Sequence, residues 1–155
     1  MYCYNYKNAI NVLQGILLEN LHIEQIRPEL TWRLRRDILY PAQLLHAMEI
    51  DEDDTGLHFG TFYEDKLVSV VSLFQQGGDF QFRKFAVVPQ LQKRGVGNRL
   101  LQYITDFAKQ QGGTRIWCNA RLSAIGFYTK AGFVLTGESF SKNGFDYEIM
   151  EKQLQ

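Results

Sequence analysis

Hydrophobic and polar residues follow two different periods along this chain, and each period marks one kind of secondary structure. Two-residue alternation bounded by turn residues predicts strands; it runs through LHIEQI, LHFGTFY, KLVSVVSLF, FQFRKFAVV, TRIWCNA, FVLTGESF and FDYEIMEKQ. Apolar residues three or four positions apart predict helices; they occur over residues 8–20, from Pro28 towards Tyr40, from about Gly97 onwards, and over LSAIGFYTKA.

The order of these elements predicts the fold class. The short turns EDK and KNG join neighbouring strands into hairpins, which are antiparallel. In the middle of the chain a helix lies between two strands, and such a crossover joins parallel strands. We therefore expect an α/β (α+β) protein with a mixed, mostly antiparallel central sheet flanked by helices.

Composition excludes several classes of function. The 155 residues, 45% of them hydrophobic, suffice for one domain with a real core. The 17 basic residues balance the 17 acidic ones, so neither nucleic acid nor a membrane is an expected partner. Cys3 and Cys118 have no metal-ligand spacing, and no metal is expected. No stretch is apolar enough for a signal peptide or a bilayer span, which predicts a cytoplasmic protein.

The stretch VVPQLQKRGVGNRLLQY carries Gly95 and Gly97 between a strand and a helix. Glycine weakens a helix start, so two of them there need a reason. Free amide groups at such a start, with the helix dipole behind them, suit a pyrophosphate, and Lys93 and Arg94 would add charge. A plain structural turn is the alternative.

Two other glycine motifs fit this loop less well. A phosphate-binding Walker loop requires Lys and then Ser or Thr after its last glycine, and here Gly97 is followed by Asn98 and Arg99. A dinucleotide-binding fingerprint would place a third glycine at Leu100.

Two motifs together resemble the GCN5-related N-acetyltransferase (GNAT) family. FAVVPQLQKRGVGNRLL is similar to its Gln/Arg-x-x-Gly-x-Gly/Ala loop, and ARLSAIGFYTKAGF is similar to its Ala-x-x-Phe-Tyr-x-x-x-Gly-Phe signature. The resemblance covers roughly residues 21–154, so we expect a GNAT domain over 21–155 and an N-terminal helical extension over 1–20.

The resemblance implies acetyl-CoA as cofactor and assigns residues to it. FQFRKFAVV would be the family's fourth strand, splayed from the fifth so that the pantetheine arm enters between them. The amide of Phe85 would face the thioester carbonyl, and Val87 would bond the pantetheine. The pyrophosphate would be held by Gln92, Lys93, Arg94, Gly95, Val96, Gly97 and Asn98.

The second motif implies the catalytic acid. Tyr128 matches the family tyrosine that protonates the departing thiolate; the alternative is a core aromatic residue beside Phe127. Many relatives carry asparagine where this chain has Arg121, and Asn119, two positions earlier, becomes the expected cofactor contact.

The general base is not evident from the sequence. Gln81 stands where some relatives carry a catalytic glutamate, and glutamine cannot take a proton. The alternatives are a water chain, His58, Asp53 or Asp54. A histidine in a strand is more often an ordinary structural residue than a base. An acidic run such as the one that contains Asp53 and Asp54 is more often a solvated turn.

Strand alternation suggests which residues face the acceptor. It places Gln81, Arg83 and Phe85 on one face, so that Arg83 would point towards the acceptor and favour an anionic substrate, with Arg35 as reinforcement. A bulge where the strands splay would reverse this placement. Pairing of Arg83 with a neighbouring acid, such as Asp79 or Glu148, is a further alternative.

The expected function is direct transfer of an acetyl group from acetyl-CoA to a primary amine of a small molecule or protein. A non-catalytic acyl-CoA-binding sensor is the first alternative. An interaction protein that forms a homodimer through the N-terminal helix is the second.

Overall fold

A seven-stranded sheet runs through the computed structural model, which describes residues 6–155 and leaves Cys3 outside. Its strands are β1 (Leu21–Ile26), β2 (Leu57–Tyr63), β3 (Lys66–Gln76), β4 (Asp79–Val87), β5 (Arg115–Arg121), β6 (Val134–Lys142) and β7 (Phe145–Gln153). Their order in the sheet is β1-β2-β3-β4-β5-β7-β6. The helices are α1 (Tyr6–Glu19), α2 (Trp32–Leu34), α3 (Val96–Gln110) and α4 (Ile125–Lys130).

The turns explain why the hairpins form where the sequence predicted them. Glu64 and Asp65, between β2 and β3, both have positive φ, at 50° and 61°. Asn143 and Gly144, between β6 and β7, do the same at 52° and 81°. Two-residue turns of this hand match the twist of paired strands. The predicted mixed, mostly antiparallel sheet is confirmed.

The two central strands diverge after a short parallel contact. Strands β4 and β5 pair only over residues 79–81 and 115–117. Beyond that point β4 stays paired with β3, and β5 stays paired with β7. A wedge therefore opens between β4 and β5, and the predicted splay is confirmed.

Strand β4 contains a bulge beside this wedge. Val70 pairs with Ala86 and Ser72 with Arg83, so β4 advances three residues where β3 advances two. The backbone of Lys84 has φ 55°, a left-handed conformation that is unusual for a residue with a side chain. Such a bulge moves the following residue to the other face of the strand.

The helix predicted from Pro28 towards Tyr40 is broken into short turns. A 3-10 turn (Pro28–Thr31), the single turn of α2 and a π turn (Arg35–Leu39) follow one another. Arg35 opens the π turn and is fully buried. Its tertiary contacts, described below, override the regular helix that the apolar spacing alone favours.

The two faces of the sheet carry different helices, and this determines what each strand residue contacts. Helices α3 and α4 cover one face, where Phe82, Leu100 and Ile104 belong to the main core. Leu34 packs against Val70 on the opposite face. In the described part of the chain, no helix has the length and apolarity needed to cross a bilayer.

Candidate active site

The wedge between β4 and β5 leads into a cleft of about 890 Å³. It is lined by residues from β4, the loop before α3, β5, α4 and the β6–β7 hairpin. Of the eleven residues expected to hold the cofactor, nine line this cleft: Phe85, Val87, Gln92, Lys93, Gly95, Gly97, Asn98, Asn119 and Tyr128.

The loop before α3 offers unpaired amides to the cleft. Gly95 caps the helix with φ 89°, a conformation that glycine adopts without strain. The Arg99 amide donates to the Gly95 carbonyl, so the three amides of residues 96–98 lack the partner that an interior helix residue has. Gly97 also lies close to β4, because an added Cβ would be 3.3 Å from Val87 Cγ2. The loop is therefore shaped to bind an anion.

The other two residues of the expected cofactor loop do not line the cleft. Val96 is fully buried in a cluster with Leu17 of α1. Arg94 is exposed, and its carbonyl accepts a hydrogen bond of 3.2 Å from Gln14 Nε2, also on α1. The Val96 side chain is therefore unavailable to a ligand, and helix α1 contacts the loop through Gln14 and Leu17.

The edge of β4 that faces the wedge carries main-chain hydrogen-bonding groups. Val88 donates to the Val68 carbonyl of β3 at 2.9 Å, so the alternate residues Phe85 and Val87 direct their amides towards the wedge. The Val87 carbonyl accepts a 2.9 Å bond from Gln92 Nε2, which ties the loop to the strand. Phe85 has no register partner in β3, because it lies in the bulge between the Arg83 and Ala86 pairs.

Tyr128 lies at the wall of the cleft among aromatic rings. Its ring centre is 5.5 Å from that of Phe82 and 5.2 Å from that of Phe127, and the residue is buried. Burial, with the neighbouring Cys118 thiol, raises the pKa of the Tyr128 phenol well above its ordinary value. Burial also raises the pKa of Cys118 to about 12. Both groups therefore keep their protons at neutral pH.

Arg83 and Phe85 lie on opposite faces, so the prediction that they share a face is wrong. The bulge at Lys84 turns Phe85 towards the main core, where its ring packs 6.0 Å from that of Phe82. Arg83 lines the cleft, but its guanidinium is 3.5 Å from a Glu52 carboxylate oxygen. The pairing partner is therefore Glu52, and neither Asp79 nor Glu148.

Arg35 is bound within the protein and does not reach the cleft. Its guanidinium forms two 2.8 Å bonds to Asp53, and further 2.8 Å bonds to the Met48 carbonyl and the Ser72 hydroxyl. His58 is buried too, and its ring nitrogens lie 2.7 Å from Ser72 Oγ and 2.8 Å from the Asp53 carbonyl. This network holds Arg35, Asp53 and His58 in the interior, outside the lining of the cleft.

Two further expected residues also lie outside the cleft lining. Gln81 pairs with Trp117 at the last closed position of the β4–β5 ladder. Asp54 is exposed in the turn before β2. In residues 6–155, no three His, Cys, Asp or Glu side chains come together as a metal site would require.

The buried carboxylate makes stability depend on pH. Burial acts to raise the pKa of Asp53, but hydrogen bonds from Arg35 and the Ile50 amide outweigh it, so this pKa lies below its ordinary value. A depressed pKa contributes stability above the pKa of the unfolded carboxyl and loses it as pH falls through the folded one. We expect the difference in unfolding free energy between the parent and Asp53→Asn, measured by urea titration, to shrink below about pH 4. A difference that stays constant with falling pH would contradict this expectation.

The sequence did not predict that three residues of the cleft, Tyr40, Lys84 and Arg121, lie together. Lys84 Nζ donates to the Tyr40 hydroxyl at 2.6 Å and lies 4.5 Å from the centre of its ring. The Arg121 guanidinium lies 5.4 Å from the same ring centre and donates to the Leu39 carbonyl at 3.1 Å. Burial acts to raise the pKa of Tyr40, but the hydrogen bond and charge of Lys84 and the charge of Arg121 outweigh it, so this pKa is lowered. We call Tyr40, Lys84 and Arg121 the cationic cluster.

Comparison with known proteins gives relatives of matching length and fold. The uncharacterized N-acetyltransferase YitI of Bacillus subtilis is 28% identical over 145 residues, covering 87% of this chain and 97% of the relative. A GNAT family acetyltransferase from Elizabethkingia anophelis, solved with acetyl-CoA bound, has a TM-score of 0.69 and 19% identity. It covers 88% of this chain and 99% of its own.

A second solved structure has the same arrangement of elements. Ard1 from Thermoplasma volcanium has a TM-score of 0.74 and 17% identity, and the match covers 88% of this chain and 99% of that one. The family model described as an acetyltransferase (GNAT) domain matches residues 24–154, which include every strand from β2 to β7 and the whole cleft lining. The chain belongs to the GNAT acetyltransferase family.

Proposed function

We propose that this protein transfers the acetyl group of acetyl-CoA directly to a primary amine. The observation that carries the proposal is the combination, in one cleft, of the glycine loop before α3 with the unpaired edge of β4. An elongated thioester fits this arrangement, because its pyrophosphate can meet the amides of residues 96–98 while its amide-containing arm adds to β4 as a strand does.

The acyl group would be positioned by the backbone of β4. The Phe85 amide, directed into the wedge, would donate to the thioester carbonyl and stabilise the negative charge that develops on its oxygen. A fixed backbone donor needs no rearrangement during the reaction. Holding the amine against the carbonyl can account for about 7 to 11 kcal/mol of the barrier, so the shape of the cleft supplies most of the catalysis.

Tyr128 would complete the reaction as general acid. The amine nitrogen bonds to the carbonyl carbon, the carbon–sulfur bond breaks, and the phenol donates its proton to the departing thiolate. The phenolate left behind regains a proton from water, and the raised pKa of Tyr128 favours that return. The proton released by the amine leaves through water, since Asp53 and His58 are held in the buried network.

The cofactor loop can be tested by adding one negative charge to it. Asn98 is exposed, lines the cleft and lies in the first turn of α3, where a carboxylate is compatible with the helix. We expect Asn98→Glu to weaken acetyl-CoA binding by about 10- to 100-fold, because the carboxylate repels the phosphates. Isothermal titration calorimetry measures this affinity. Gln90→Glu is the matched control, since Gln90 is exposed and does not line the cleft. Equal acetyl-CoA affinity in both variants would show that this loop does not bind the cofactor.

Turnover separates the proposed enzyme from an acyl-CoA-binding sensor. We expect mass spectrometry to detect acetylated product when the protein is incubated with acetyl-CoA and a panel of amines. Tight acetyl-CoA binding without product on any amine would favour the sensor.

A further inference from the structure

We propose that the cationic cluster of Tyr40, Lys84 and Arg121 binds an anionic group, a carboxylate or a phosphate, on the acceptor amine. This inference rests on the proposed acetyl transfer and names the class of acceptor. It differs from the sequence-based expectation, which assigned that role to Arg83 and Arg35.

The cluster lies on the face of β4 opposite the one that packs against α3. The bulge sends Phe85 and Val87 towards α3, while Lys84 contacts Tyr40, which follows the π turn on the other face. Arg121 reaches the same ring from the end of β5, across the wedge. The two cations therefore flank the opening through which an acceptor amine would approach the thioester.

The charges of this cleft are not balanced by acids. Within residues 6–155, six basic side chains line the cleft and no Asp or Glu does. Arg83 has Glu52 as its partner, and Lys93 adjoins the cofactor loop. Lys84 and Arg121 form no ion pair with any described residue, although both are only partly exposed.

The hydrogen bonds of the cluster leave donors available for a ligand. Lys84 gives one of its three protons to the Tyr40 hydroxyl, which keeps its own proton for donation. Arg121 gives one of its five to the Leu39 carbonyl. A planar guanidinium beside an ammonium and a phenol is a suitable receptor for an oxyanion, which would accept from all three.

The same charges disfavour polycationic acceptors. An amine with a second ammonium group would meet Lys84 and Arg121 without a carboxylate in the described lining to offset their charges. An acceptor with an oxyanion would instead neutralise the pair and bring its amine to the wedge.

The test compares four amines at the same acetyl-CoA concentration: β-alanine, aminoethyl phosphate, butylamine and spermidine. The parent is expected to prefer β-alanine or aminoethyl phosphate, and their relative rates identify the carboxylate or the phosphate as the recognised group. In Arg121→Gln, the ratio of kcat/KM for the preferred anionic amine to that for butylamine is expected to fall by about tenfold or more. Arg121→Lys should retain part of the preference. Lys66→Gln, at an exposed position outside the cleft, should keep the parent's ratio.

A second arm does not depend on turnover. Inorganic phosphate and acetate are titrated into the full chain saturated with CoA, and the Arg121 Nε–H signal is followed by NMR. A saturable shift with either anion, lost when Lys84 is replaced by Gln, supports the proposal. Absence of any shift overturns it, as does a parent that acetylates butylamine or spermidine as fast as the anionic amines. Anion binding without acetylation of any amine would support the anion site and contradict the acetyl transfer.

Discussion

Replacing Tyr128 with phenylalanine is expected to lower turnover by about 10²- to 10⁴-fold, the range for loss of a general acid. The phenol is held protonated in the cleft wall, and phenylalanine cannot supply a proton to the departing thiolate. The ring keeps its contacts with Phe82 and Phe133, so the fold and acetyl-CoA affinity should change little. Steady-state kinetics with a defined acceptor, together with calorimetry, measure both quantities.

The control for this variant removes a hydroxyl of the same kind elsewhere. Tyr103 lies on α3, packs its ring against Phe59 and does not line the cleft. We expect Tyr103→Phe to retain parental turnover. If Tyr128→Phe also retained it, with the chemical step shown to limit the rate, Tyr128 would return to the role of a core aromatic residue.

Removing the carboxylate of Asp53 is expected to destabilise the protein by about 3 to 5 kcal/mol, the cost of leaving a buried charge without its partner. Asp53→Ala would leave the fully buried guanidinium of Arg35 with only the Met48 carbonyl and the Ser72 hydroxyl. Urea-induced unfolding followed by circular dichroism measures the change in free energy.

Two further variants show whether the loss of stability comes from the unpaired buried charge or from any substitution in this segment. Asp54→Ala removes an exposed neighbouring acid and should change stability by about 0.5 kcal/mol or less. The double variant Arg35→Met, Asp53→Leu removes both charges and should recover much of the loss. A cost below about 1 kcal/mol for Asp53→Ala would show that water or other groups satisfy Arg35.

The elements of the sheet could be predicted from the sequence because each depends on its own residues. Alternation and turn residues located LHIEQI as β1 and the hairpin of β2 and β3 with little error. The splay of β4 from β5 followed from the family resemblance, since nothing in the alternation of either strand indicates where their pairing stops.

Other features depend on contacts that local patterns do not encode. Lysine carries no preference for positive φ, so the sequence did not reveal the bulge at Lys84, and the alternation argument placed Arg83 on the wrong face. Local sequence could not predict that Arg35 is buried, because its partner Asp53 lies 18 residues later in the chain. The cationic cluster joins residues that are far apart in the chain: Tyr40 and Lys84 alone are separated by 44 positions. The sequence marked Arg121 only as a departure from the family motif.

Helix α1 contacts the loop before α3 from outside the residues that the family model matches. The family model begins at residue 24, yet Gln14 bonds the Arg94 carbonyl, and an added Cβ at Gly95 would lie 3.4 Å from Leu18 Cδ2. Under the proposed function, substitutions on this helix are expected to change acetyl-CoA affinity without altering any residue that lines the cleft. Affinity and chemistry would then be adjusted at separate places in the chain.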